Sequence, residues 1–184
     1  MKKIKVGDNN IDIPNSWDDI TVKQFEEVFL PAAQGNIPYE SIISKMVPGL
    51  DKVGNAETLN NILESLEFFK TAIPSKPIGE VIVKINKESY TLVALDKITY
   101  LQAIAIEARK KLNPNDMSGF ISILLSKGEK FESYDEELAN KVKQLSVTNF
   151  YGTYVHWFTF MGNMSETFKS IFKKKLEESV QAPK

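Results

Sequence analysis

Few side chains in this sequence are equipped for chemistry, and their spacing decides what each can do. His156 is the one histidine; it stands between Val155 and Trp157, and the chain has no cysteine. A metal site needs several His, Cys or carboxylate ligands converging on one ion, and a lone histidine with no carboxylate at helical spacing does not supply them. No Ser or Asp lies near it in sequence to build a nucleophile–base relay, so His156 is read as a packed or half-exposed structural residue. Carboxylates cluster at Asp18-Asp19, Glu26-Glu27, Asp135-Glu136-Glu137 and Glu177-Glu178. Paired acids do acid–base or two-metal work only where opposed environments or convergent geometry set them up for it. Asp18-Asp19 precedes a predicted helix and Asp135–Glu137 opens another, where negative charge suits the helix dipole.

The phosphate-binding signatures are missing as well. No G-x-x-x-x-G-K-[ST] and no G-x-G-x-x-G occurs, so no backbone cradle for a nucleotide is written here. "SKGEK" (126–130) reads as a surface turn. "NMS" (163–165) fits a glycosylation acceptor but has no force without a secretory route. "ARKKL" (108–112) places Arg109, Lys110 and Lys111 at a helix end, where cations favour the dipole and a small phosphate contact is the alternative. No catalytic, cofactor-binding or metal-binding residue is assigned, and no cofactor is expected. An enzyme built from polar groups that converge only in space is the remaining enzymatic option.

The elements that would position any site belong to a globular chain. Its 184 residues are 42% hydrophobic and 26% charged, neither membrane-like nor disordered. Apolar runs end well short of the ~20 residues a bilayer demands. The opening "MKKIKVGDNN" has no apolar core of a signal peptide, and with no disulfide framework cytosolic synthesis is the economical reading. Net charge is −1, from 23 basic and 24 acidic residues, so no global field draws nucleic acid. Arg109 is the only arginine, which weakens a sequence-specific DNA reading further.

Two stretches follow the same plan. "KIKV", a "GDN" turn and "NIDIP" read as a hairpin, closed by Pro14. Thr21 and Gln24 then have capping-box spacing, with Ile20 and Phe25 at the staple positions. Val22, Phe25, Val28 and Phe29 supply an apolar face. Seventy-eight residues on, "EVIVKI", "NKE" and "SYTLVA" repeat strand, turn and strand. Ile98, Thr99 and Gln102 take the places of Ile20, Thr21 and Gln24. A helix over 100–112 carries Leu101, Ile104, Ala105 and Ala108 on one face. "YESIISKMV" then lies opposite "MSGFISILLS", and "ETLNNILESL" opposite "EELANKVKQL". The colinear match is read as a tandem repeat, with two similar units arising from common local rules as the alternative. The fold expected is α+β and mostly helical. Hairpin-plus-helices units at 1–78 and 79–148 pack together, with "TAIPSKPIGE" as linker, and an aromatic helical segment, 149–184, packs on them.

That segment holds Phe150, Tyr154, Trp157, Met161, Met164, Phe168 and Ile171 at alternating spacings of four and three, a heptad seam. Residues 150–161 are apolar nearly all round, which makes the helix central in its fold or buried in a partner. Gly162-Asn163 reads as a bend, with Ser165 able to cap a following helix. Core and oligomer or partner interface are both open for the seam, and the interface reading rests on Phe150, Tyr154, Trp157 and Met161.

The pattern around Trp17, "P-x-S-W-D-D-I-T-V-K-Q-F", together with "YDEELANKVKQLSVTNFYGTYVHWFTF", resembles small proteins encoded in the structural-gene regions of tailed bacteriophages, particularly those infecting Bacteroidetes. The likeness covers most of the chain, and its motifs are structural. It implies a non-enzymatic protein acting in tail or virion assembly, as an assembly chaperone or a minor structural protein. Partners implied are tape-measure, tail or neck proteins, with self-association as a further option and no membrane. The implied location is the host cytoplasm during assembly and, for a component that stays, the virion. The alternative is a small regulatory module that binds nucleic acid or a host protein, using lysine-rich ends such as "KSIFKKKL". Trp157→Ala separates the two fates of the seam. At a core site it lowers monomer stability by about 3–5 kcal/mol in denaturant titration. At an interface it leaves the monomer intact and abolishes association.

Overall fold

The computed structural model describes residues 1–6, 9–75, 81–94, 97–127 and 134–163. Strands β1 (Lys2–Val6) and β2 (Asn9–Ile13) form the first antiparallel hairpin, with Ile4 opposite Ile11. Strands β3 (Val81–Ile85) and β4 (Glu88–Leu92) form the second. The second turns on Asn86 and Lys87, both left-handed at φ 49° and 71°, the two-residue turn whose twist matches the flanking strands. A two-residue strand, β5 (Leu125–Ser126), extends that sheet in the order β3-β4-β5.

Helix α1 runs over residues 22–33. It starts at Val22–Gln24, opens into a π turn at Phe25–Phe29 and closes with Leu30–Ala33. The π turn precedes Pro31, which has no N–H to give to the preceding turn, and a locally widened helix is one way to absorb that loss. The other helices are α2 (Tyr39–Met46), α3 (Ala56–Ser65), α4 (Tyr100–Leu112), α5 (Met117–Leu124), α6 (Glu136–Val142) and α7 (Tyr151–Asn163). Seven helices and two small antiparallel sheets among the described residues make a mostly helical α+β fold. None of these helices is long and apolar enough to cross a membrane.

Both capping boxes form. Thr21 Oγ1 accepts from the Gln24 N–H at 3.2 Å while Gln24 Oε1 accepts from the Thr21 N–H at 2.9 Å. Thr99 and Gln102 repeat the arrangement at 3.2 and 2.9 Å. Each box satisfies two backbone donors that a helix start would otherwise leave bare. Gln102 does more: buried, it also donates from Nε2 to the Ile123 carbonyl at 2.9 Å.

Residues Met1–Tyr154 form one compact unit and Val155–Lys184 a second, so the expected segments 1–78 and 79–148 lie within the same unit. The first unit is stitched across the chain. Val22 N–H donates to the Leu145 carbonyl at 2.9 Å and Val147 N–H to the Ile20 carbonyl at 2.8 Å. Trp17, buried, has its ring centroid 5.2 Å from that of Phe29, 5.3 Å from Phe68 and 5.7 Å from Phe69. Its Nε1–H donates to the Thr71 carbonyl at 3.3 Å. It therefore anchors the turn after the hairpin to α1 and to the segment that follows α3.

Helix α5 is the centre. All eight of its residues are buried, Ser118, Gly119 and Ser122 included. Helix α7 is one-sided by comparison. Tyr154 and Trp157 are buried, whereas Val155, His156 and Thr159 are exposed. A stretch that reads as apolar all round thus has a solvent face among its described side chains. The helix continues to Asn163; Met164, Ser165, Phe168 and Ile171 lie outside the described residues.

The two glutamines give a matched comparison. Gln102→Ala removes the side-chain half of its capping box and strands a buried carbonyl, and is expected to cost about 2–4 kcal/mol in urea unfolding. Gln24→Ala loses only the side-chain half of its box, about 1 kcal/mol.

Candidate functional site

A helix sealed from water must find partners for the N–H groups of its first turn within the protein. At α5 each has one. Met117 N–H donates to the Asn115 carbonyl at 2.9 Å, and Phe120 N–H begins the helical ladder on Asp116 at 3.0 Å. Gly119 N–H donates to Asp116 Oδ1 at 2.8 Å, the N-cap bond. Ser118 N–H donates to Glu26 Oε1, reaching the π turn of α1. Two carboxylates thus converge on one positive helix end.

The Asp116 charge is answered by the only arginine. Arg109, from the last turn of α4, brings Nε to Asp116 Oδ2 at 2.8 Å and its Nη2 to the same oxygen. The guanidinium carbon lies 3.9 Å from the centre of the Tyr134 ring, a cation–π contact. Packing leaves no slack: a Cβ on Gly119 would fall onto the Asp116 carboxylate. The Phe120 ring meets that of Tyr154 edge-on at 5.8 Å, and Phe25 meets Tyr151 at 5.7 Å.

Burial holds the Glu26 carboxyl above its ordinary range, with the Asp116 charge adding to the rise and the Ser118 hydrogen bonds and Lys143 opposing it. Burial also pushes the Tyr154 phenol well up, aided by the Glu26 and Asp116 charges, so Tyr154 stays a neutral hydroxyl. The cluster is a closed electrostatic knot. Its carboxylates are committed to backbone amides and to arginine, which makes it a device for holding α5 in place.

The residues singled out from sequence fall as follows. Phe150, Tyr154 and Trp157 are buried, at 0%, 7% and 1% exposure. The Met161 side chain lies outside the described residues. His156 is exposed on α7. Asp18 accepts from the Thr148 hydroxyl at 2.5 Å and Asp135 caps α6 through the Leu138 N–H at 3.0 Å. Among the described residues no three His, Cys, Asp or Glu side chains come together as metal ligands. Arg109 stands in the last turn of α4, the helix end where the sequence placed it, and its side chain is engaged there by Asp116. Sequence reasoning missed Glu26, Asp116 and Ser118 as a set. The available signal was Asp116 standing before an eight-residue run without a charge, Met117–Leu124.

A second feature is a surface. The face of α4 that carries Leu101 and Ala108 points to solvent, while Gln102, Ala103 and Ile106 point inward. The apolar stripe visible in the sequence is therefore not the core-facing side. On α3, Leu59 and Leu63 are likewise exposed while Ile62 is buried.

Comparison with protein-family models, with curated proteins and with solved structures finds no match for this chain.

Glu26 yields a signed prediction. A carboxyl whose folded pKa is raised binds its proton more tightly in the native state, so its ionisation opposes folding as pH rises through that value. Glu26→Gln keeps an acceptor for Ser118 and removes this penalty. Urea unfolding should find it at least as stable as wild type at pH 7, with the difference shrinking as pH falls toward 4.5. Glu26→Ala leaves the Ser118 N–H unpaired and should cost about 1–3 kcal/mol at either pH.

Proposed function

We propose that this protein is a non-enzymatic component of tailed-bacteriophage assembly that works by binding other proteins of the tail or virion, as an assembly chaperone or a minor structural protein. The observation that carries the binding role is the placement of leucines on the outer faces of two helices. Leu59 and Leu63 lie one turn apart on α3, and Leu101 and Leu112 lie at the two ends of α4, all exposed. Single exposed leucines are ordinary on protein surfaces. Leucines aligned on a helix face are the anchors by which helices dock on partners. The phage setting rests on the resemblance carried by Trp17–Phe25 and Tyr134–Phe160. On this reading the partners are tape-measure, tail or neck proteins, met in the host cytoplasm during assembly. A minor structural protein would remain in the virion.

The test is affinity capture of the tagged full chain from phage-infected cells, with partners identified by mass spectrometry. Wild type should retain tape-measure, tail or neck proteins, and the double variant Leu59→Lys/Leu63→Lys should lose them while keeping its helical circular dichroism. Retention only of nucleic acid, polymerase or host enzymes overturns the proposal.

A further inference from the structure

The outward N–H and C=O groups of a sheet's outer strand have no partners, and folded chains usually guard them with lysine or proline. The two hairpins do so unequally. Strand β1 carries Lys2, Lys3 and Lys5. Strand β3 reads Val-Ile-Val-Lys-Ile, with one lysine and no proline. It stands at the outside of the order β3-β4-β5 and pairs, among the described residues, with β4 alone. Which of its backbone groups face outward follows from the register. The Asn86-Lys87 turn joins Ile85 to Glu88, and the pair that closes such a turn is hydrogen-bonded. Bonded and non-bonded pairs then alternate along the strands, so Val83 and Val81 turn their N–H and C=O groups toward β4. Those of Ile82 and Lys84 point to the open side.

The side chains specify what pairs there. Ile82 is 70% exposed, and Lys84 is exposed beside it on the same face. Val81 and Val83 are half-exposed on the other face. Each residue of an added strand lies level with one of these and on the same face as the residue it opposes. Charge narrows the choice. Between Val81 and Leu92 the one acid is Glu88, which binds Lys127 Nζ at 2.6 Å and accepts from the Tyr90 hydroxyl at 2.7 Å. Lys84 and Lys87 have no ion pair among the described residues. Across from Lys84 a carboxylate is attracted and a cation repelled.

We propose that the open edge of β3 binds an extended segment of a partner protein as an added strand, with an acidic residue across from Lys84 and apolar residues across from Ile82 and Val83. Main-chain bonds to Ile82 and Lys84 supply the affinity, and the alternating side chains supply the selectivity. The inference rests on the reading of this protein as a binding component. It gives that binding a second mode, strand addition, apart from the leucines borne on helices.

Amide exchange followed by NMR on the full chain reads the edge first. In the free protein Ile82 and Lys84 should exchange rapidly, and Val83 and Ile85 slowly. The probe is the peptide acetyl-Glu-Val-Glu-Val-Ile-Val-Glu-amide, with the same peptide carrying Lys for Glu as control. The acidic peptide should protect the Ile82 and Lys84 amides and bind at least tenfold more tightly than the basic one. Lys84→Glu should reverse that order. Ile82→Pro removes an outward N–H that β4 does not use, and should weaken peptide binding at least tenfold with unchanged circular dichroism. Equal binding of the two peptides, shifts confined to sites away from β3, or an Ile82→Pro variant that binds like wild type overturns the inference. So does protection of Ile82 and Lys84 in the free chain that fades on dilution, which gives the edge to a second copy. Affinity capture separates this from the function reading. Phage proteins recovered by a chain that binds neither peptide remove the strand site alone. Peptide binding by a chain that recovers none of them removes the phage role alone.

Discussion

The N–H groups that open a helix have no partners within it, and at α5 water is not available to supply them. All eight residues of Met117–Leu124 are buried, so each orphan donor has to be met by the protein or cost on the order of 1–3 kcal/mol. Asp116 meets one and Glu26 another, and the charge of Asp116 is in turn held by Arg109. The far end obeys the same rule. The Ile123 carbonyl accepts from Gln102, and the Leu124 carbonyl from the Val93 N–H at 2.9 Å. Helix α5 is thus fixed at both ends by groups from α1, α4 and the strand that leads into α4.

This constraint explains why the halves of the first unit cannot be treated apart. Glu26 belongs to the opening hairpin-plus-helices stretch and Ser118 to the later one. The backbone ties of Val22 and Val147 run between the same two stretches. Thr21–Gln24 and Thr99–Gln102 have the same local geometry, yet only Gln102 is also bound to α5. Capping boxes of the same geometry thus serve unequal tasks, and Glu26, next to the first of them, closes over the start of the central helix.

What the sequence made legible was local. Hairpins, the limits of α4 and both capping boxes depend on residues three to ten apart, and their turn and cap chemistry is written in the residues themselves. The centre of the fold was not legible that way. Residues 150–161 and 117–124 are both apolar, and only packing decides that the second is sealed while Val155, His156 and Thr159 face water. The same holds for α4. Its periodicity marks an apolar stripe correctly but not the side on which the core lies, because a buried Gln102 and a half-buried Arg109 reverse the usual polarity of a helix. The Glu26–Ser118 bond joins residues 92 positions apart and left no trace in spacing.

Amide hydrogen exchange followed by NMR across a denaturant series tests the role of α5 most directly. If the caps seal this helix into the core, the Ser118 and Gly119 amides exchange only through global unfolding, with the same denaturant dependence as Phe120–Leu124. Exchange of Ser118 and Gly119 through a low-energy opening that is insensitive to denaturant, while Phe120–Leu124 remain protected, would contradict it.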